Sequence, residues 1–280
     1  MLTREMIIKA LTERGMEAQV TDVTKNGVTL QGIALGNGNV RPTIYIEQFA
    51  DYADDEMEDV VDAIMYQYNK AIEDVPVIDV NNLLNWDYAK TRLQLCIQKK
   101  GNEDIVKRDF LDLEEYVRVI ASTDESGIGS FKVSPRHLEI FGITEEILFQ
   151  AAWDCTAPTI KIEDMSQIVP MPEGMMIVAT NVTKLNGAVA MKATEKLAEV
   201  ADRYGKAALA ILPSSIHEIL IIPLSGDESV SELDKMVQEV NATQVAPEEV
   251  LSNHAYIYGR AVNKMFCSLN ECVEYLNTLN

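Results

Sequence analysis

Four side chains with catalytic potential crowd into the run Leu212-Pro213-Ser214-Ser215-Ile216-His217-Glu218. A hydroxyl, an imidazole and a carboxylate are the parts of a nucleophilic hydrolase. The ring takes the hydroxyl proton, and the acid holds the ring in the required tautomer. In that scheme Ser214 or Ser215 is the nucleophile, His217 the base and Glu218 the orienting group. The local pattern argues against it. If residues 215–222 form a strand, Ser215, His217, Ile219 and Ile221 share one face, while Ile216, Glu218, Leu220 and Ile222 share the other. Glu218 then cannot orient His217, and no G-x-S-x-G elbow lifts either serine out of the chain. The pattern predicts a half-buried, hydrogen-bonded histidine instead.

Metal chemistry finds less support. The other histidines, His137 and His254, are far away in sequence, and His217-Glu218 lacks the second ligand of H-E-x-x-H because position 221 is Ile. The acidic run from Asp51 to Glu56 has neither the glycine nor the terminal glutamate of a calcium loop. Gly36-Asn37-Gly38-Asn39 lacks G-K-[ST] and reads as a turn rather than a phosphate cradle. No metal or cofactor is expected.

Charge says more about partners. The 280 residues carry 44 acids against 24 Lys and Arg, a formal charge of −20. That excludes a conventional nucleic-acid binder with a basic face and disfavours an anionic membrane surface. Between Glu47 and Asp62 stand eight acids and no Lys or Arg. Asp54, Asp55, Glu58, Asp59 and Asp62 are the expected contact residues of an acidic surface that docks a basic protein partner, imitating nucleic-acid phosphates. The plainer alternative is that acidity keeps the protein soluble. No run of about 20 apolar residues suits a membrane span, and the start Met1-Leu2-Thr3-Arg4-Glu5 lacks a signal-peptide core. The four cysteines form no C-x-x-C pair, so reduced cysteines in a cytoplasmic protein are expected.

The elements that must position these groups follow from periodicity. Helices are expected over 4–13, 55–68, 80–92, 188–204, 229–240 and 261–279, with shorter ones after Ser134-Pro135 and Thr144. Lys25-Asn26-Gly27 joins two alternating runs as a hairpin. Strands are expected near 42–47, 93–98, 116–121, 131–133, 174–180, 207–212 and 216–222, with 158–174 a surface connector. The fold class is α+β, with largely antiparallel sheets and packed amphipathic helices. The polar, glycine-bearing stretch 122–130 is either a long hairpin loop or the boundary between an N-terminal lobe (1–122) and a C-terminal lobe (130–280) that carries the LPSSIHE hairpin.

Several runs together resemble a known family. They are Leu212-Pro213-Ser214-Ser215-Ile216-His217-Glu218, Met236 to Asn241, Glu248 to Ser252, Tyr256-Ile257-Tyr258, Pro42 to Tyr45, Phe110 to Leu113 and Gly142 to Glu145. The chain is similar over most of its length to a domain-of-unknown-function family of Gram-positive gut bacteria and their mobile elements. The resemblance implies no activity, cofactor or catalytic residue. One departure is Asp154-Cys155, where the family tends to have Asn after the Ala151-Ala152 helix. The reading that follows is a non-catalytic acidic binding or regulatory protein of a bacterial cytosol or mobile element. Its rival is a hydrolase using the Ser/His pair of the 214–218 turn. Oligomeric state has no signal in the sequence.

Overall fold

Asn26 and Gly27 take φ values of 48° and 80°, the left-handed pair that a two-residue hairpin turn demands. This comes from a computed structural model that describes residues 2–38, 41–73, 79–124, 127–226 and 229–279. The hairpin belongs to the first of two compact units, residues 1–78. There α1 (Arg4–Glu13) precedes β1 (Ala18–Lys25), β2 (Val28–Leu35) and β3 (Thr43–Tyr45), which form one antiparallel sheet in that order. A second helix, α2 (Met57–Glu73), closes the core. Its stripe of Met57, Val60, Val61, Ile64, Met65 and Tyr68 packs with Ile7, Leu11, Ile33 and Ile44. Each large aliphatic side chain buried there contributes about 1.5–3 kcal/mol. Repulsion between exposed acids one helical turn apart costs only about 0.2–0.5 kcal/mol per pair. Burial wins, and the helix tolerates its acidic start.

The second unit, residues 79–280, begins with two short helices, α3 (Val80–Leu83) and α4 (Trp86–Ala89). Asn85 caps α4 by accepting from the Asp87 and Tyr88 amides, which is why the single helix expected over 80–92 is broken. A four-stranded antiparallel sheet follows: β4 (Leu93–Lys99), β5 (Lys107–Phe110), β6 (Leu113–Asp124) and β7 (Gly127–Lys132). On β6, β4 takes one edge, while β5 and β7 lie end to end along the other. Next come α5 (Pro135–Phe141) and α6 (Glu145–Thr156).

The remaining strands are β8 (Ile160–Asp164), β9 (Ile177–Asn181), β10 (Ala208–Leu212), β11 (Ile219–Pro223), β12 (Tyr256–Gly259) and β13 (Lys264–Phe266). They form an antiparallel sheet in the order β13-β12-β10-β11-β9-β8. The helices of this region are α7 (Thr194–Arg203), α8 (Val230–Gln244) and α9 (Leu269–Asn277). Residues Leu233 and Val237 of α8 and Cys272 of α9 pack with Ala210, Leu212, Ile257 and Phe266. The fold is α+β, as the mixed periodicities imply. Among the described residues no helix is long and apolar enough to cross a membrane.

The chain divides into its two units between residues 78 and 79. Ser122, Thr123 and Asp124 pair with Gly129, Ile128 and Gly127 inside the β6–β7 hairpin, and these pairings fit the hairpin alternative for 122–130. Its residues 125 and 126 lie outside the described residues. Three further expectations need correction. The 158–174 connector contains β8, whose five residues pair fully with β9. The helix expected over 261–279 is divided, because Asn263 turns with φ 49° and Ser268 caps a new helix by accepting from the Glu271 amide. The helix expected from 188 starts only at Thr194, and residues 187–191 are buried in a 3-10 turn.

Gly187 shows why that turn is fixed. A Cβ there would lie 2.2 Å from the Thr180 hydroxyl, 2.5 Å from the His217 carbonyl oxygen and 2.8 Å from the Asn181 amide. Two of these are backbone atoms that cannot rotate away. Gly187→Ala is expected to destabilise the protein by at least about 2 kcal/mol, read as a lower urea midpoint. The control Gly101→Ala, where the nearest atoms are 4.0 Å away, is expected to change stability by no more than about 0.5 kcal/mol.

Candidate functional site

Pleated structure begins at Ile219, not at Ser215, so residues 213–218 are an irregular turn. The reason lies in where their backbone groups go. The Ile216 amide donates to the Glu249 carbonyl at 2.9 Å, while the Ser214 and Pro213 carbonyls accept from Leu251 and Ser252. Ser215 bridges Val250. On the other side, the His217 carbonyl accepts from the Gly187 amide at 2.9 Å and from the Thr180 hydroxyl at 2.7 Å. The turn therefore clamps two distant segments, 186–188 and 249–252, and cannot also pair as a strand.

The side chains follow this wiring. Ser215, which is buried, accepts the His217 amide at 3.0 Å, and its hydroxyl lies 3.5 Å from Glu218. The expected split of Ser215 and Glu218 onto opposite faces therefore does not hold: the turn brings them together at the outer limit of a hydrogen bond. The imidazole of His217 goes elsewhere. Its Nδ1 accepts from the Asn186 amide at 3.2 Å, which leaves Nε2 to carry the proton toward Glu249, 3.2 Å away. Both ring nitrogens are thus occupied, and neither of these bonds involves a serine. Ser214 enters only through its backbone carbonyl.

The acidic residues of the first unit also part company. Glu58 and Asp62 both grip the guanidinium of Arg14, just past the end of α1. Glu56 accepts the Ala53 amide at 2.7 Å as a helix-start cap, and Glu47 accepts the Gln31 amide at 2.8 Å. Asp51, Asp54, Asp55 and Asp59 stay exposed. Arg14 is a partner that the charge run itself could not reveal, because it comes from a different helix.

A third cluster had no signal beyond a lone histidine and a resemblance run. Asp112 sits in the tight turn between β5 and β6, after Leu111 with φ 59°, a conformation that carries strain for a branched side chain. That turn delivers Asp112 to His254 Nε2 at 2.9 Å and to the Tyr256 hydroxyl at 2.5 Å. His254 Nδ1 lies 3.0 Å from the Ala255 carbonyl oxygen. Both ring nitrogens face acceptors, so the doubly protonated imidazolium satisfies the site best. Burial pushes His254 down, but the Asp112 hydrogen bond, the Ala255 carbonyl and the Asp112 charge outweigh it and raise its pKa above the ordinary 6.5. Asp112 is likewise pushed up by burial, yet hydrogen bonds from His254 and Tyr256 bring it below 3.8. The last histidine, His137, accepts the Ser134 amide at 2.9 Å and packs on Phe131, so it belongs to the start of α5. Among the described residues no group of His, Cys, Asp and Glu is arranged to hold a metal ion.

Residues 3–260 match the model of a family of unknown function, DUF5688, and the chain belongs to that family. No curated protein and no solved structure matches it.

The Asp112–His254 pair has a pH signature. A raised histidine contributes stability that is complete below its unfolded value of 6.5 and is lost as pH rises through the folded value. A depressed carboxyl contributes above 3.8 and loses its effect as pH falls through the folded value. The stability advantage of the native protein over His254→Phe is therefore expected to be greatest near about pH 5.5 and to shrink by about pH 8.5, measured by urea unfolding. An advantage that grows with pH would contradict the assignment.

Proposed function

We propose that this family member is a non-catalytic binding or regulatory protein of a bacterial cytosol or mobile element, whose first unit offers an acidic surface to a basic protein partner. The observation that supports this most is the acidic start of α2. Arg14 grips Glu58 and Asp62, and Asp51, Asp54, Asp55 and Asp59 are exposed to solvent. A concentrated field of one sign steers an oppositely charged partner and raises its encounter rate. The four free cysteines fit a reducing compartment.

The hydrolase reading has less to support it. A Ser–His pair requires the ring nitrogen to reach the hydroxyl, at about 2.6–3.2 Å. Here Nδ1 is taken by Asn186, Nε2 faces Glu249, and the Ser215 hydroxyl receives a backbone amide. The imidazole serves as a strut between two segments, not as a base.

Two measurements test this reading. A basic protein is expected to be retained from native lysate at about 50 mM salt and released near about 500 mM, where the screening length falls to a few ångströms. Its recovery is expected to drop sharply with Asp54→Asn/Asp55→Asn/Asp59→Asn. Equal recovery with that variant contradicts the acidic docking surface. Separately, His217→Ala is expected to cost about 1–3 kcal/mol of stability through the orphaned Asn186 amide and Glu249. An unchanged fold accompanied by loss of an ester-hydrolysing activity supports the hydrolase instead.

A further inference from the structure

Within the second unit, α6 and the start of α7 enclose a concavity of about 510 Å³. Volumes of this order hold small organic ligands. Leu95 of β4 and Phe149 of α6, both buried, give it an apolar floor, and Trp153 lines it too. Three cations also line it, Arg108, Lys192 and Lys196, a concentration at odds with a chain of net charge −20.

The placement of these cations rests on Glu115. Its side chain on β6 is only 4% exposed and takes Arg108 on one oxygen, at 2.7 Å, and Lys192 on the other. Two cations on one buried carboxylate leave one positive charge in excess. The Arg108 guanidinium also sits over the Phe149 ring, 3.7 Å from its centroid, so it is held on two sides. Arg108 still has donors to spare, and so does Lys192. Lys196 donates to the Ile160 carbonyl at 2.7 Å. At the mouth Glu146 and Glu195 are exposed.

We infer that this cavity binds a small aromatic monocarboxylate. The carboxylate sits between Arg108 and Lys192 as the second anion of the Glu115 network, and the flat apolar body lies along Trp153. Between Arg108 and Lys192, Glu115 leaves one positive charge for a ligand carboxylate. Inorganic phosphate has no apolar body to lay on Trp153, and a second negative charge would meet the two glutamates at the mouth. The inference does not rest on the acidic surface proposed for the first unit.

The chain has two tryptophans, and Trp86 packs on Phe141, 5.6 Å between centroids. Trp86→Phe therefore leaves Trp153 as the sole indole reporter. In this protein phenylacetate is expected to change the fluorescence saturably. The neutral phenylacetamide is expected to bind at least about 10-fold more weakly, since it lacks the charge-assisted bonds. Inorganic phosphate is expected not to displace phenylacetate. Lys192→Met is expected to weaken binding at least about 10-fold. Because that change also strips a partner from Glu115, Gln150→Phe provides a second arm: it fills the cavity from exposed residue 150 without adding an indole and is expected to abolish binding at an unchanged unfolding midpoint. The inference is overturned if phenylacetate does not bind, if the amide binds equally well, or if phosphate competes. Native affinity in folded Gln150→Phe overturns it as well.

Discussion

The His217 carbonyl oxygen is the point on which the second unit turns. It accepts both the Gly187 amide and the Thr180 hydroxyl in a space too small for a Cβ on residue 187. A buried carbonyl left unmatched costs as much as a lost hydrogen bond, and here two donors meet it. The same turn holds residues 249–252 by three backbone bonds from Pro213, Ser214 and Ile216. Two of the polar residues in this turn, Ser215 and His217, hold its geometry with their side chains. Ser215 closes the turn on the His217 amide, and the imidazole spans Asn186 and Glu249.

Electrostatics divides the molecule more finely than its net charge suggests. In the first unit Arg14 draws in Glu58 and Asp62, so the exposed field comes from the remaining acids near the start of α2. In the second unit the acid is buried and the cations face a cavity: Glu115 holds Arg108 and Lys192. Taking a carboxylate out of water is costly, and removing either of two cations from such a group typically costs about 3–5 kcal/mol. Glu115 therefore fixes the positions of both cations before any ligand arrives. A third arrangement, Asp112 with His254 and Tyr256, ties the β5–β6 turn to β12 within the same unit.

Local rules were readable in the chain, and long-range ones were not. Asn26-Gly27, the apolar stripe of α2, and Ser134-Pro135 ahead of α5 each lie within a few residues, and each formed as their spacing implied. The segment 261–279 misled because Met265 and Phe266 continue a helical apolar register, yet they pair with Tyr258 and Ile257 of β12. Residues 187–191 are apolar enough for a helix but are buried on every side, so no amphipathic period marks where α7 begins. At the candidate site, the types of residue were visible and their partners were not. Asn186 lies 31 positions from His217, and Asp112 lies 142 positions from His254. No spacing rule reaches that far. The strand expected over 216–222 begins only at Ile219 because Pro213 to Glu218 bond to other segments, which alternation along one stretch cannot show.

The imidazole nitrogens of His217 give the most direct test. In a long-range proton–nitrogen correlation spectrum of the labelled protein near neutral pH, the account predicts a single tautomer for this ring. The proton resides on Nε2, facing Glu249, and Nδ1 shows the shift of a hydrogen-bonded acceptor. A ring protonated on Nδ1, with Nε2 bare and coupled to a serine hydroxyl, would contradict it.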